Sequence, residues 1–186
     1  MAMERFNIPT ASYEKVSTKK LVTAKAKQRM KAQNGVVIKA SGLAAGKGVF
    51  VCKNEAEISN AVNRLFDGGI LKQADAEVVL EDILEGRECS FFVFVGPTGI
   101  YPLGFAVDFK RLEDNDKGPN TGGMGCYSPV PWLPENATET VMDKIVSPLV
   151  DGFKSENEQY CGVLYVGLMW TANGPEVVEF NVRLGD

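Results

Sequence analysis

Apolar and polar residues alternate along the chain in two rhythms, one helical and one extended. Lys19 to Ala32 carries strong helix formers with no Gly or Pro, and Gly35-Val36-Val37-Ile38-Lys39-Ala40 reads as a short buried strand, so helix passes to strand at Asn34-Gly35. After the glycine-rich stretch Ser41 to Gly48, Val49 to Cys52 is a second strand, and Asn54 with Glu57 three residues on opens a helix in the manner of a capping box. Ile58, Ala61, Val62, Leu65 and Phe66 of that helix fall on one face. Val78 to Leu80, Ser90 to Val95 and Tyr101 to Val107 read as strands, the last after the turn Gly96-Pro97-Thr98-Gly99. Asp108 to Pro131 is polar and glycine-rich with little periodicity, which predicts a long functional loop. Val141, Ile145, Leu149 and Phe153 recur at helical spacing, so one helix is expected from about Glu135 to Phe153, bent at Pro148. Strands at Val163 to Trp170 and Glu176 to Val182, joined through Ala172-Asn173-Gly174, complete a mixed α+β pattern of mostly antiparallel pairs.

Composition narrows the chemistry. The 186 residues are 45% hydrophobic and 24% charged, which excludes disorder and collagen. Net charge is −4, but Met1 to Gln33 holds 8 basic and 2 acidic residues against 12 and 22 in the remainder. An acidic body repels a polyphosphate, so nucleic-acid binding would rest on Lys19 to Lys31 alone, and that stretch reads first as a solvated helix. No nucleic-acid or membrane partner is expected. Histidine is absent, which removes Ser-His-Asp and Cys-His catalysis and His-ligated zinc, leaving carboxylates, lysine, arginine, backbone amides or a hard metal held by oxygen. Cys52, Cys89, Cys126 and Cys161 form no C-x-x-C and read as free thiols of a cytoplasmic protein.

Three stretches carry candidate chemistry. Gly42 to Gly48 differs from a P-loop, with three residues between Gly42 and Gly46 and Gly48 after Lys47; it joins two strands, as a flexible loop over phosphates or an ordinary hairpin turn would. Lys39 and Lys47 could add positive charge on either side. Glu81-Asp82-Ile83-Leu84-Glu85-Gly86-Arg87-Glu88 carries more acids than Arg87 can pair. It is either a solvated turn or a hinge whose backbone from Asp82 to Leu84 reads an adenine edge, with Glu88 accepting from ribose hydroxyls. In Glu179-Phe180-Asn181-Val182-Arg183 a strand's two-residue period puts Glu179, Asn181 and Arg183 on one face, with Glu176 out of phase. Two oxygen ligands there suit Mg2+, and Arg183 suits a transferring phosphoryl; the alternative is a solvated edge strand.

Taken in order, Lys39 to Gly48, the Glu81 hinge, Lys110-Arg111, Gly118-Pro-Asn-Thr-Gly-Gly-Met-Gly125, Gly162 to Met169 and Glu179 to Arg183 closely resemble the phosphoribosylamine-glycine ligases. The resemblance covers nearly the whole chain, loosest before Asn34. It implies an ATP-grasp fold of α+β class, a small lid subdomain and a larger mixed or antiparallel core clasping ATP, truncated at both ends. The segments would be an N-terminal helical or linker stretch 1–34, a lid 35–83 and a core 84–186 incomplete at its C-terminus. It further implies ATP and Mg2+, with Mn2+ as an alternative, and the substrates glycine and 5-phosphoribosylamine. By similarity Lys39, Gly46, Lys47, Gly48, Glu81, Asp82, Leu84 and Glu88 would hold the nucleotide, and Glu179 and Asn181 the metal. Arg183, Lys110 and Asp108 would act in catalysis, and Gly122, Gly123, Met124, Gly125 and Asp186 would line the substrate end. The chain departs from the family where Val107-Asp108-Phe109-Lys110-Arg111 stands for Gln-Asp-His-Lys-Arg and where Leu184 replaces Phe. It ends inside a motif the family continues with Pro-Glu, and it lacks the family's N-terminal domain, so flanking domains of the same polypeptide are expected. The other readings are a nucleotide-binding module without complete activity and a different ATP-grasp carboxylate-amine ligase.

Overall fold

The computed structural model describes residues 2–41, 48–71, 77–114 and 117–184, with the main chain alone at 111, 119, 120 and 122. Two compact units emerge, Ala11–Leu84 and Met1–Thr10 with Glu85–Asp186. The division falls inside the expected segment 1–34, at Thr10.

In the first unit, β1 (Tyr13–Val16), β4 (Val78–Glu81), β2 (Val36–Ala40) and β3 (Val49–Cys52) form an antiparallel sheet in that order. Helices α2 (Lys19–Gln33) and α3 (Glu55–Phe66) pack against it. Thr18 caps α2 by accepting from the Leu21 N–H at 3.3 Å, and Asn34 ends it in the left-handed region at φ 56°. Asn54 Oδ1 accepts from the Glu57 N–H at 2.9 Å and Glu57 returns a bond to the Lys53 N–H at 2.6 Å, the reciprocal cap its spacing predicted. The apolar stripe Ile58, Ala61, Val62 and Leu65 is buried against Val22 and Ala26 of α2 and against Val36, Ile38, Val78 and Leu80 of the sheet. The basic helix spends its charge within the unit: Lys19 pairs with Asp67 at 2.6 Å, Lys25 with Glu14 at 3.3 Å and Lys27 with Glu55 at 2.5 Å, and Arg29 pairs with Asp82.

The second unit is a five-stranded antiparallel sheet, β7-β6-β5-β8-β9. Its strands are β5 (Arg87–Gly96), β6 (Gly99–Glu113), β7 (Lys117–Tyr127), β8 (Gly162–Thr171) and β9 (Gly174–Asn181). One face packs on the helical segment, burying Cys89, Phe91, Val93 and Val95 of β5 and Leu164, Val166 and Leu168 of β8 against Val141, Ile145, Val146 and Leu149. The segment is not the single bent helix expected: α4 (Ala137–Val141) passes through a wide π-turn, Met142–Val146, into α5 (Ser147–Ser155), with Pro148 in the first turn of α5. Short helix α1 (Ala2–Arg5) precedes Phe6, whose ring meets Phe153 edge-on at 5.6 Å, and Thr10 Oγ1 donates to the Val177 carbonyl at 2.7 Å. Those contacts bind the first ten residues to this unit.

The expected loop from Asp108 to Pro131 is instead largely sheet. β6 runs on to Glu113 and pairs with β7 at Val107↔Tyr127, Asp108↔Cys126 and Phe109↔Gly125, with register shifts further out. Backbone hydrogen bonds hold such a ribbon without any alternation of side chains, so hydropathy does not reveal it.

Candidate functional site

The sheet face turned away from the helices gathers the polar residues of the second unit. On β5, Glu88, Ser90 and Phe92 have the opposite parity to the core residues Cys89, Phe91 and Val93. On β6 and β8 the same side carries Asp108 and Lys110, and Tyr165 and Gly167. Lys110 Nζ lies 2.9 Å from Glu88 Oε1 and 3.7 Å from Asp108 Oδ2. Partial burial alone would push the Lys110 pKa down, but Glu88, Tyr165 and Asp108 together hold it above its ordinary value, so the ammonium stays charged. Ser90 Oγ donates to the Tyr165 hydroxyl at 3.1 Å. Burial raises the Tyr165 pKa against the opposing pull of Ser90 and Lys110.

Across β8, Gly167 pairs with Glu179 and Tyr165 with Asn181. Asn181 Nδ2 donates to Glu179 Oε1 at 3.1 Å, so the expected metal ligands do converge. A carboxylate and an amide oxygen, exposed or half-buried, are a hard donor pair that fits Mg2+, whose remaining positions go to water and phosphate oxygens. Among the described residues no group of three or more acidic or cysteine side chains competes as a metal cluster.

Two expectations on this strand change. A bulge between Gly167 and Leu168 pairs Leu168 with Val177 and Met169 with Glu176, so Glu176 shares the face of Glu179 and is not out of phase with it. Glu176 accepts there from Thr171 Oγ1 at 3.1 Å. Arg183 lies beyond the end of β9, where its Nη1 donates to the Leu184 carbonyl at 2.8 Å, so strand parity does not carry it onto the Glu179 face.

A cavity of about 760 Å³ opens on the same side, lined by Ser90, Phe92, Phe105, Asp108, Gly123, Met124, Gly125, Cys126, Tyr165 and Leu184 among others. It brings Asp108 and the Gly123-Met124-Gly125 run together as expected. The Gly123 N–H, however, donates to Thr121 Oγ1 at 3.1 Å. Gly122 has only its main chain described, and Asp186 lies outside the described residues. Ser90 and Tyr165 line the cavity, and sequence reasoning passed over both. Ser90 shares the parity of Glu88 in an otherwise apolar strand, a signal that could have found it.

In the first unit, Lys39 Nζ sits 2.6 Å from Glu81 Oε2, both side chains largely buried. Asp82 donates its N–H to the Ser12 carbonyl at 3.0 Å and pairs its carboxylate with Arg29, while half-buried Leu84 follows in the extended segment. Glu81, Asp82 and Glu88 of the hinge thus find cations on other elements, and Arg87 lies over the Trp132 ring at 4.1 Å instead. The Gly48 carbonyl accepts from the Ala40 N–H at 2.8 Å, closing the β2–β3 hairpin, whose Gly46 and Lys47 lie outside the described residues.

Comparison with known proteins shows the family and the fold. The chain is 44% identical over 185 residues to the phosphoribosylamine-glycine ligase of Streptococcus pyogenes serotype M18, covering 99% of this chain and 43% of that protein. It is 42% identical to the Yersinia pestis ligase, again covering 99% of this chain and 42% of the relative. The chain therefore spans less than half the length of these relatives. The crystal structure of the Thermotoga maritima phosphoribosylamine-glycine ligase superposes with a TM-score of 0.86 at 36% identity, over 100% of this chain and 46% of that one. An N5-carboxyaminoimidazole ribonucleotide synthetase in complex with ADP, at 21% identity and a TM-score of 0.70, covers 98% of this chain and 43% of its own and shares the fold. Residues 1–186 match the family model described as phosphoribosylglycinamide synthetase, ATP-grasp (A) domain, and the chain belongs to that family.

Proposed function

We propose that the chain is the ATP-binding, carboxylate-activating part of a ligase of purine biosynthesis that joins glycine to 5-phosphoribosylamine. The γ-phosphoryl of ATP passes to a glycine carboxylate oxygen as its bond to ADP breaks. The amine of phosphoribosylamine then attacks the glycyl phosphate carbonyl, forming the C–N bond of glycinamide ribonucleotide and releasing phosphate and, to solvent, the amine's proton. The observation that carries this reading is the convergence of Glu88, Lys110 and Asp108 with Glu179 and Asn181 on one sheet face beside a cavity. Such chemistry is mostly positioning and charge stabilisation and needs no histidine.

Lys39 and Lys47 hold phosphate charge, Lys39 exchanging its Glu81 partner for the phosphate. With the Asp82 N–H committed to Ser12, reading of the adenine edge falls to the main chain of Ile83 and Leu84. Glu88, anchored by Lys110, accepts from the ribose; Glu179 and Asn181 hold Mg2+, with Mn2+ as an alternative. When bound, the ion neutralises charge developing on the phosphates. Arg183, beyond the end of β9, meets the transferring phosphoryl, while Asp108, Lys110 and the Gly122 to Gly125 run face the glycine and amine end. The four cysteines are unpaired, which suits the reducing cytoplasm, and no described helix is long and apolar enough to cross a membrane. Flanking domains of the same polypeptide belong to the proposal.

The test is ADP release with ATP, Mg2+ and glycine, then with phosphoribosylamine added. Release that requires glycine and rises with the amine is the expected result. Nucleotide binding with no response to either substrate reduces the chain to a binding module, and a response to a different amino acid makes it another carboxylate-amine ligase.

A further inference from the structure

The cavity holds an acceptor, Asp108, and a donor, Tyr165, to which the sequence motifs assign no role. The glycine run lines the cavity, but the Gly123 N–H is committed to Thr121 Oγ1 at 3.1 Å. Tyr165 lines the same cavity as Asp108 and is 7% exposed, and Ser90 beside it is 3% exposed. Ser90 Oγ donates to the phenolic oxygen at 3.1 Å, so the single proton of the phenol points away from Ser90. The ring is held in place by Phe92, which it meets edge-on at 5.3 Å and 72°. Tyr165 also pairs across the ladder with Asn181, which places the phenol between the Lys110 cluster and the Glu179 pair.

One cavity thus presents a carboxylate that accepts and a neutral hydroxyl that donates. A zwitterionic amino acid carries the complementary set, an ammonium and a carboxylate. We propose that Tyr165 is a specificity-determining residue of this cavity: its hydroxyl, oriented by Ser90, donates to a carboxylate oxygen of the amino-acid substrate while Asp108 accepts from its ammonium. A neutral donor suits this carboxylate, because a lysine in its place would form an ion pair with the oxygen that must attack the phosphoryl. The inference rests on the glycine-activating reading above.

Tyr165→Phe removes one oxygen and keeps the ring. In the full polypeptide, glycine-dependent ADP release should then show KM for glycine raised about tenfold or more, with KM for ATP within about twofold of the original, since only the carboxylate loses a donor. Ser90→Ala, which frees the phenol without deleting it, should raise KM for glycine by about threefold. A KM for glycine that does not move in Tyr165→Phe, or that moves together with KM for ATP, overturns the assignment. Failure of the underlying reading looks different: the wild-type protein would then release ADP whether or not glycine is present. Titration with glycine alone decides Tyr165 in that case. Amide chemical-shift changes at Ser90, Asp108 and Gly167 that occur in the wild type and vanish in Tyr165→Phe support the contact; shifts missing from the wild type, or kept in the variant, overturn it.

Discussion

Gly167 sits on β8 directly opposite Glu179, and its missing side chain is what lets the Glu179 stem lie over the sheet. A Cβ placed there would stand 3.1 Å from Glu179 Cγ and 3.3 Å from Tyr165 Cε1, closer than ordinary carbon contacts. Tyr165 is 7% exposed and fixed by its neighbours, so in Gly167→Ala the exposed Glu179 gives way by a few tenths of an ångström. Its bond from Asn181 is already 3.1 Å long, and that displacement takes it to the limit of a hydrogen bond. Holding Glu179 off its preferred rotamer costs about 1 kcal/mol, which is about fivefold in an equilibrium constant. Stability should scarcely change, because alanine restricts the unfolded chain and recovers about 0.4–1 kcal/mol. Mg2+ titrations of ATP binding by calorimetry, beside thermal melts, read the two effects separately. The expected result is a Mg2+ requirement about fivefold higher at a nearly constant melting temperature. An unchanged requirement in Gly167→Ala, together with a strong effect of Glu179→Gln, would refute the crowding argument; a large fall in melting temperature would show that Tyr165 takes the strain instead.

Glu179→Gln should weaken the Mg2+ dependence of ATP binding, whereas Glu176→Gln should leave it intact although both residues share a face, because Glu176 is engaged by Thr171; equal responses in calorimetry would remove the metal assignment. A thiol reagent should modify exposed Cys126 and Cys161 quickly and leave Cys52 and Cys89 until unfolding, since burial raises their pKa to about 11 and about 12; four equally fast thiols would contradict the two cores. The native pKa of Lys110 lies above its ordinary 10.5, so the stability its charge contributes is complete below that value and is lost as pH rises through the native one. The melting difference between the wild type and Lys110→Met should therefore be flat near neutrality and shrink only in alkali. A difference already shrinking near neutral pH would mean that the Glu88 and Asp108 contacts do not hold the ammonium.

Wherever local chemistry decides structure, the sequence was readable. The Asn54–Glu57 cap, the stripe from Ile58 to Leu65, the Asn34-Gly35 break and the Asn173-Gly174 hairpin each depend on residues within one or two turns of each other. β1 escaped because four residues, Tyr13–Val16, become a strand only through pairing with Val78–Glu81, far along the chain. The ribbon from Asp108 to Tyr127, beyond the strand expected over Tyr101 to Val107, escaped for a related reason: its outer half is exposed on both sides, so no burial imposes a period of two. Motifs named Glu88, Asp108, Glu179 and Asn181, but only the sheet order β6-β5-β8-β9 shows that they share a face.

That shared face depends on the bulge at Val178 as much as on the motif. Val177 is 1% exposed in the core, and Phe180 packs against the same core three residues later. An unbroken strand could not bury both, because residues an odd number apart point to opposite faces. If Val177 alone stayed inside, Glu179 and Asn181 would follow it inward and Phe180 would turn to solvent. A buried carboxylate without a partner costs several kcal/mol, and the exposed ring would forfeit about 2 kcal/mol more. One extra residue avoids both penalties: Val177 and Phe180 remain in the core while Glu176, Glu179 and Asn181 stand on the open side. Glu179 and Asn181 therefore stand on the open side because the apolar residues around them are buried, and a deletion of Val178, which leaves Val177 and Phe180 two residues apart on an unbroken ladder, should keep both faces and with them Mg2+-dependent ATP binding. Loss of that binding in the variant, at an unchanged melting temperature, would show that the site depends on the bulge itself and not on which residues the strand turns inward.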